Sequence, residues 1–470
     1  MSTRVLVVGG GLAGLLAARR QQHAGHRVVL LEASRAVGGA IADTVLPDAG
    51  GLALNTGAEA YATGSGAVDA LVAELGLEQR IVAPREGLGS RVVSSAGVHR
   101  APGASLLGIP AHPLAADVRT VLGTAGALRA SLERFLPASY AARPGATVAE
   151  VVRRRLGRTV LERLVAPVIG GVLSADPATL EFAAASPQLS RGLAEHGSLT
   201  ATVRRLRGRA TASAGTRVHS LSPTMATLPA ALQAQILAAG GILRTGIEVV
   251  GVERSGDRWR VRTARDEHLE ADHLVLACPP DTAQDLLREA APTIARAIPQ
   301  APSAAVRLVA LVLDAPALDP HPCGTGALIA PGTAGIRAKA LTHASAKWEH
   351  VQQALAAALP TAGSPHLLRL SYGRPGEQLP PREEIVDLAL ADASRILGIP
   401  LSRAQLLAAE VIDWDRAMRQ ALPGHRAGLD ALTELLDQQP RLELVGSWRA
   451  GTGIDAILRA ENTYREGTSS

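Results

Sequence analysis

The sequence predicts an α/β chain built around a dinucleotide-binding β-α-β unit whose sheet is completed by segments far down the chain. Three observations point there. A strand, a Gly-rich turn, a helix and a second strand follow one another within the first 32 residues. Further strand patterns end in turns at Leu274–Pro280 and Leu442–Trp448. The 470 residues, 47% hydrophobic and 19% charged, suffice for about three units at roughly 150 residues each and are too apolar for a disordered chain.

Composition removes several function classes. Aromatics are 2% of the chain, so stacking of nucleic-acid bases has few side chains to work with, and no nucleic-acid partner is expected. Only Lys339 and Lys347 are lysines; the other basic residues are arginines, and a net charge of +5 with that bias reads as composition more than as an anionic partner. Cys278 and Cys323 give neither a disulfide framework nor metal-ligand spacing, so no metal is expected and a reducing cytoplasm fits. The apolar start could pass for a signal core, but Arg19-Arg20 stands where a cleavage site would lie, and it reads as structure. No run of about 18 uncharged apolar residues occurs elsewhere.

The first unit is explicit. Arg4–Val8 is a β-branched run, Ala13–Arg20 has helical composition, Gly25-His26 is a break, and Arg27–Leu31 is a second strand ending at Glu32. Between first strand and helix lies Gly9-x-Gly11-x-x-Gly14, which permits a tight turn, close approach of backbone to a pyrophosphate and close helix–strand packing, with the helix N-terminus facing the phosphates. With 47 glycines in the chain the spacing alone is weak; its position between strand and helix supplies the specificity. Glu32 is placed to accept hydrogen bonds from a ribose diol and to repel a 2′-phosphate, which disfavours NADP. Downstream, Gly246–Val252 and Arg258–Arg262 read as a hairpin layer and Leu274–Pro280 as a buried strand ending in a Pro-enforced turn. Leu442–Trp448 reads as the end of a returning strand, and Gly451–Ile454 leads into a helix. Thr147–Glu150 is a capping box opening a helix with Arg153, Arg154, Arg155 and Arg158, which together with Arg204–Arg209 are expected to be solvated.

After Glu32 comes Ala33 and then the Gly38-Gly39-Ala40 turn, followed later by Asn55–Ala60. In these blocks the sequence resembles FAD enzymes of the glutathione-reductase superfamily. Further blocks resemble the bacterial protoporphyrinogen/coproporphyrinogen III oxidase family, Gram-positive and actinobacterial type, within the monoamine-oxidase-like flavoproteins. They are Leu164–Pro177, Gly324–Pro331, Lys347-Trp348, Leu368–Gly373, and Trp414 through Gln420 to His425. Departures occur at Gly170, Ser174, Ala175, Ser222–Thr224, Arg419 and Ala421, most of them on what the resemblance makes the substrate side.

The resemblance implies a discontinuous FAD-binding Rossmann-like domain of the glutathione-reductase/amine-oxidase type, with a mixed-sheet substrate domain and a helical insert. Residues 1–60, 210–285 and 437–470 would form the first, 61–100 and 286–436 the second, and 101–209 the insert. FAD contacts are expected from Gly9, Gly11, Leu12, Ala13 and Gly14, from Glu32, Ala33, Gly38, Gly39 and Ala40, from Gly57, Ala58 and Glu59, and from Val249, Trp414, Gly446, Gly453 and Ile454. Substrate contacts are expected from Gly171, Gly326 and Leu328, with Val172 and Leu173 adding apolar lining. No catalytic acid or base is assigned, because pyrroles flanking the reacting carbon already weaken its C–H bond and the protein has mainly to hold it over flavin N5.

The implied reaction is oxidation of a porphyrinogen by FAD and oxygen with release of hydrogen peroxide, coproporphyrinogen III being favoured over protoporphyrinogen IX. Arg91, Arg100 and Arg369 are candidate partners for substrate carboxylates; Lys347 reads as a solvated charge, Cys278 as a small buried residue, and His425 as packing or flavin-flanking. Expected partners are a ferrochelatase-type acceptor of the product and a peripheral membrane contact through the Leu/Ala-rich stretch at 114–136, at the inner face of the membrane. Other flavin oxidases or desaturases acting on lipophilic substrates, and a non-catalytic FAD-binding paralogue, remain as alternatives.

Overall fold

The computed structural model describes residues 3–141, 143–207 and 217–468, with side chains to residue 464. The expected division near residue 210 and Arg209 of the arginine run lie outside the described residues. Five parallel strands form the nucleotide-side sheet, in the spatial order Ile242–Thr245, Arg27–Glu32, Arg4–Val8, His273–Leu276, Leu442–Leu444. The Arg4–Val8 strand is apolar on both faces because both are covered, so it reads as a continuous run, not an alternation. Val5 and Val7 are covered by helices Leu12–His23 and Thr227–Ala238, Leu6 and Val8 by the antiparallel layer Val249–Ser255, Arg258–Thr263 and His268–Ala271 together with further helices. Val8 sits opposite both Leu31 and Leu276, which brings Gly9, Glu32 and Ala277 to one carboxyl edge; Val445 joins them through its N–H to Leu276.

A second sheet of seven strands is mixed. Its order is Leu406–Arg419, Ser303–Asp314, Pro365–Tyr372, Ala340–His343, Gly326–Ile329, Arg91–Ser94, Gly97–Arg100, and only the pair Gly326–Ile329 with Arg91–Ser94 is parallel. Helix Ile385–Leu397 packs on one face through Ile385, Ala389, Ala393 and Ile396.

Between the sheets in sequence lies a helical region with its own core, including Val121, Val152, Leu164, Ile169 and Val203. The Thr147–Glu150 capping box is present with both reciprocal bonds. The Leu/Ala-rich stretch is broken: Gly123, at φ 72°, kinks Ala116–Ser131 into two pieces. The arginine run also departs from expectation. Gly157 ends the helix before Arg158. Arg155 is fully buried, donating to Glu133 at 2.9 Å and to the carbonyls of Pro137, Tyr140 and Gly197. Glu133 in turn accepts from the Leu199 and Thr200 N–H groups at the start of helix Leu199–Arg207, where an anion complements the exposed donors. Helical periodicity places Arg155 on the inner face, and only the fold could supply the acid that lets a guanidinium stay there.

Candidate active site

At the carboxyl edge of the parallel sheet, each glycine of the first turn has its own reason. Gly9 is at φ +109°, where only glycine is unstrained. A Cβ on Gly14 would lie 1.9 Å from the Gly9 carbonyl oxygen, so helix and turn meet there. Gly11 differs. At φ −68° any residue fits, and a Cβ would meet no atom within 4 Å. Nothing among the described residues demands glycine there, which fits a requirement from outside the chain: close approach of a diphosphate to the backbone.

Glu32 reaches back to this turn, accepting from Gly10 N–H at 2.6 Å and Ser34 N–H at 2.7 Å. The Gly38-Gly39-Ala40 turn lies against it: Gly38 N–H donates to Gly10 C=O, and a Cβ on Gly39 would stand 3.3 Å from the Gly11 Cα. Ala40 C=O accepts from Ala58 N–H and leaves no room for a Cβ on Gly57, while the Trp414 indole rests on Gly57 and donates to Thr56 C=O at 2.8 Å. Ala33 continues from Glu32, and Leu12 and Ile454 are buried in the same core. Val249 opens the hairpin strand Val249–Ser255 two residues after Ile247, whose N–H donates to Glu32 C=O, and is buried in the cluster that holds Leu31 and Leu274. At the far side a cavity of about 150 Å³ opens beside Ala13, Val445 and Gly446, with Arg426 and Arg449 in its wall. No spacing rule distinguishes those two arginines from the chain's many others. Gly453, at φ +109° with open space around it, precedes helix Ile454–Thr468.

Glu59 has its carboxylate committed. Trp348 Nε1 and Lys347 Nζ donate to one oxygen, Arg369 Nη1 to the other at 2.9 Å, and Arg369 also holds Gly57 C=O. Burial alone would raise the Glu59 pKa, but the Lys347 and Arg369 charges overcome it and hold the carboxyl at about 2. Two expectations are corrected. Lys347 is not a solvated charge but a half-buried partner of Glu59. Arg369 is not free for a substrate carboxylate, because Glu59 already neutralises it.

Gly171, Val172 and Leu328 come together on the other side. A Cβ on Gly171 would fall 2.6 Å from Leu328 Cδ2, and Val172 and Leu328 both line a cavity of about 160 Å³. Leu173 packs toward the helical core. Gly326, at φ +142°, is pressed onto the Leu341 carbonyl, so the neighbouring strand accounts for this glycine. Behind this contact, Lys339 is buried and donates to Ser174 Oγ at 2.8 Å and Gly373 C=O at 2.7 Å; burial, then the Arg374 charge, pulls its pKa down to about 7. Of the other two carboxylate candidates, Arg91 is half-buried on its strand and Arg100 is exposed. Cys278 is buried, which pushes its thiol up to about 12, and His425 packs with a ring nitrogen on Trp448 C=O.

The pattern of the flavin containing amine oxidoreductases matches residues 12–462, nearly the whole chain. The chain belongs to that family. It is therefore an FAD-dependent oxidoreductase, and the open backbone at Gly11 with Glu32 behind it is suited to the dinucleotide part of FAD. Similar curated proteins include the coproporphyrinogen III oxidase of Mycobacterium leprae, 29% identical over 97% of this chain and 95% of the relative. That of Bacillus subtilis is 28% identical over 96% and 94%. Among solved structures, a protein from Exiguobacterium sp. 255-15, provisionally named a protoporphyrinogen oxidase, superposes with a TM-score of 0.80 at 22% identity over 100% of this chain and 99% of that one. Cyclohexylamine oxidase from Brevibacterium oxydans gives 0.69 at 17% identity over the full length of both. These two similarities establish the shared fold. Among the described residues no helix is long and apolar enough to cross a membrane.

Proposed function

We propose that the protein oxidises a porphyrinogen to the porphyrin in haem synthesis, coproporphyrinogen III being preferred to protoporphyrinogen IX. The observation that carries this reading is the nearly end-to-end similarity to coproporphyrinogen III oxidases from mycobacteria and Bacillus. FAD would supply the two-electron acceptor, and oxygen would take the electrons onward and leave as hydrogen peroxide. The protein's own task is placement. The Gly171–Leu328 contact, close because Gly171 carries no side chain, offers an apolar wall that excludes water from a ring held beside it. Lys339 is locked onto Ser174 and Gly373, which supports a mechanism without a side-chain acid or base. Working in the cytoplasm agrees with two buried free thiols, and the product would pass to a ferrochelatase-type acceptor. A peripheral membrane contact would use the exposed stripe Leu128, Leu132 and Phe135 on the helical region.

The test is an aerobic assay of FAD-loaded protein with each porphyrinogen, followed by porphyrin fluorescence. Coproporphyrin III should form well above its uncatalysed rate and faster than protoporphyrin IX. No gain over that rate with either substrate, from protein that an amine or another lipophilic donor does reduce, would sink the reading.

A further inference from the structure

The cavity beside Leu328 has one charged wall. Leu164, Val168, Val172 and Leu328 supply apolar surface, and Arg207, at the end of helix Leu199–Arg207, supplies a guanidinium. Its Nε is buried and has no hydrogen-bond partner among the described residues. Arg207 as a whole is half-buried, and three arginines that are buried outright are paired: Arg155 with Glu133, Arg20 with Glu443 and Glu461, Arg369 with Glu59. Arg207 instead has the Arg217 charge nearby, and burial and then that charge lower its pKa from the ordinary arginine value. A desolvated cation with a like charge as neighbour is costly until an anion arrives.

We propose that Arg207 and this cavity form a carboxylate subsite, taking an anionic group carried on a short apolar arm of the substrate. The stem would lie against Val172 and Leu328 and the carboxylate on the guanidinium, which suits planar acids bidentately. At about 160 Å³ the cavity resembles in size the ~150 Å³ apolar cavities that take a benzene-sized body, so it receives an arm and not a ring system. The inference rests on the porphyrinogen reading only for naming the arm, a propionate side chain. It also replaces Arg369, whose guanidinium Glu59 occupies, with a residue that no motif marks.

The experiment measures equilibrium binding to the FAD-loaded protein of coproporphyrin III against its tetramethyl ester, and of 4-phenylbutyrate against 4-phenylbutanol. A charge-assisted hydrogen bond predicts that wild type prefers each acid by about ten-fold or more. Arg207→Met should abolish that preference and raise KM for coproporphyrinogen III more than it lowers kcat; Arg207→Lys should recover part of both. Should Arg207→Met fail to retain flavin absorbance, Arg207→Gln takes its place. An unchanged acid preference in the variant overturns the subsite. If wild type oxidises neither porphyrinogen, the functional reading falls alone, and the phenylbutyrate pair still decides. A preference for acid over alcohol that Arg207→Met removes supports the subsite, whereas equal binding of acid and alcohol by wild type overturns it.

Discussion

Gly11 and Gly14 are glycines for different reasons, and single substitutions separate them. A Cβ on Gly14 collides with the Gly9 carbonyl, so Gly14→Ala should push the helix off the turn and lower the melting temperature with or without FAD. On Gly11 a Cβ meets no atom of the described residues within 4 Å, so Gly11→Ala should leave the melting temperature of the FAD-free protein within a degree or so while weakening FAD retention in equilibrium dialysis. An FAD-free melting point that falls equally in both variants would refute the distinction. Glu59 makes a second test at this scale. Replacing it by Gln leaves the half-buried Lys347 and the buried Arg369 without their common counter-charge, and removing one partner from a desolvated pair costs about 3 kcal/mol. Because the Glu59 pKa is depressed from 4.5 to about 2, its contribution is fully present above pH 4.5 and is lost as pH falls through about 2. Urea denaturation at neutral pH should therefore show the loss, and the difference between wild type and Glu59→Gln should shrink in acid. The glycine spacing and Glu32 were legible from local sequence, since a turn and the strand beside it involve neighbouring residues. The Glu59 cluster was not, because its members lie some 290 to 310 positions apart.

Among elements, the strands Ala340–His343 and Pro365–Tyr372 carry a buried imidazole pair, with His343 Nε2 and His366 Nδ1 3.0 Å apart. Burial first, then the charges of His366, His321 and Arg85, push His343 down from 6.5 to about 3; His366 is lowered too, though Asp319 opposes. A folded state that keeps these rings neutral binds fewer protons than the unfolded chain. Its stability is therefore complete above pH 6.5 and lost as pH falls toward 3. Thermal melts should drop across that window, and His343→Gln should flatten the drop; a profile unchanged by that substitution would refute the assignment. The helical region presents the other element-scale test. Leu128, Leu132 and Phe135 recur at helical spacing, each more than half exposed, with the Arg134 guanidinium 4.6 Å over the Phe135 ring. Flotation with anionic liposomes at low salt should carry wild type upward and Leu132→Ser/Phe135→Ser less. Failure of wild type to float would remove the membrane from the list of partners. Helix existence here followed from composition and the capping box. The Gly123 break and the inward turn of Arg155 did not, because each depends on what packs against the helix.

For the molecule as a whole, the decisive feature is that the parallel sheet draws its strands from residues 4–32, 242–276 and 442–444. The strands themselves were readable as apolar runs between turn residues. Their order, with Leu442–Leu444 outside His273–Leu276, comes from long-range pairing that a local pattern does not encode. A ligand lying along the common carboxyl edge touches all three segments and binds only when they are assembled. FAD should therefore act on global stability, adding RT ln(1 + [FAD]/Kd), about 2.7 kcal/mol at a hundred-fold excess over Kd. Calorimetry of stripped protein titrated with FAD should show the melting temperature rising with the logarithm of FAD concentration. The Gly11→Ala protein should trace the same curve displaced to higher concentration, because its affinity changes and its sheet does not. If stripped and loaded protein melt at one temperature, FAD cannot be joining the three segments, and the assignment of this edge as the cofactor cradle fails with it.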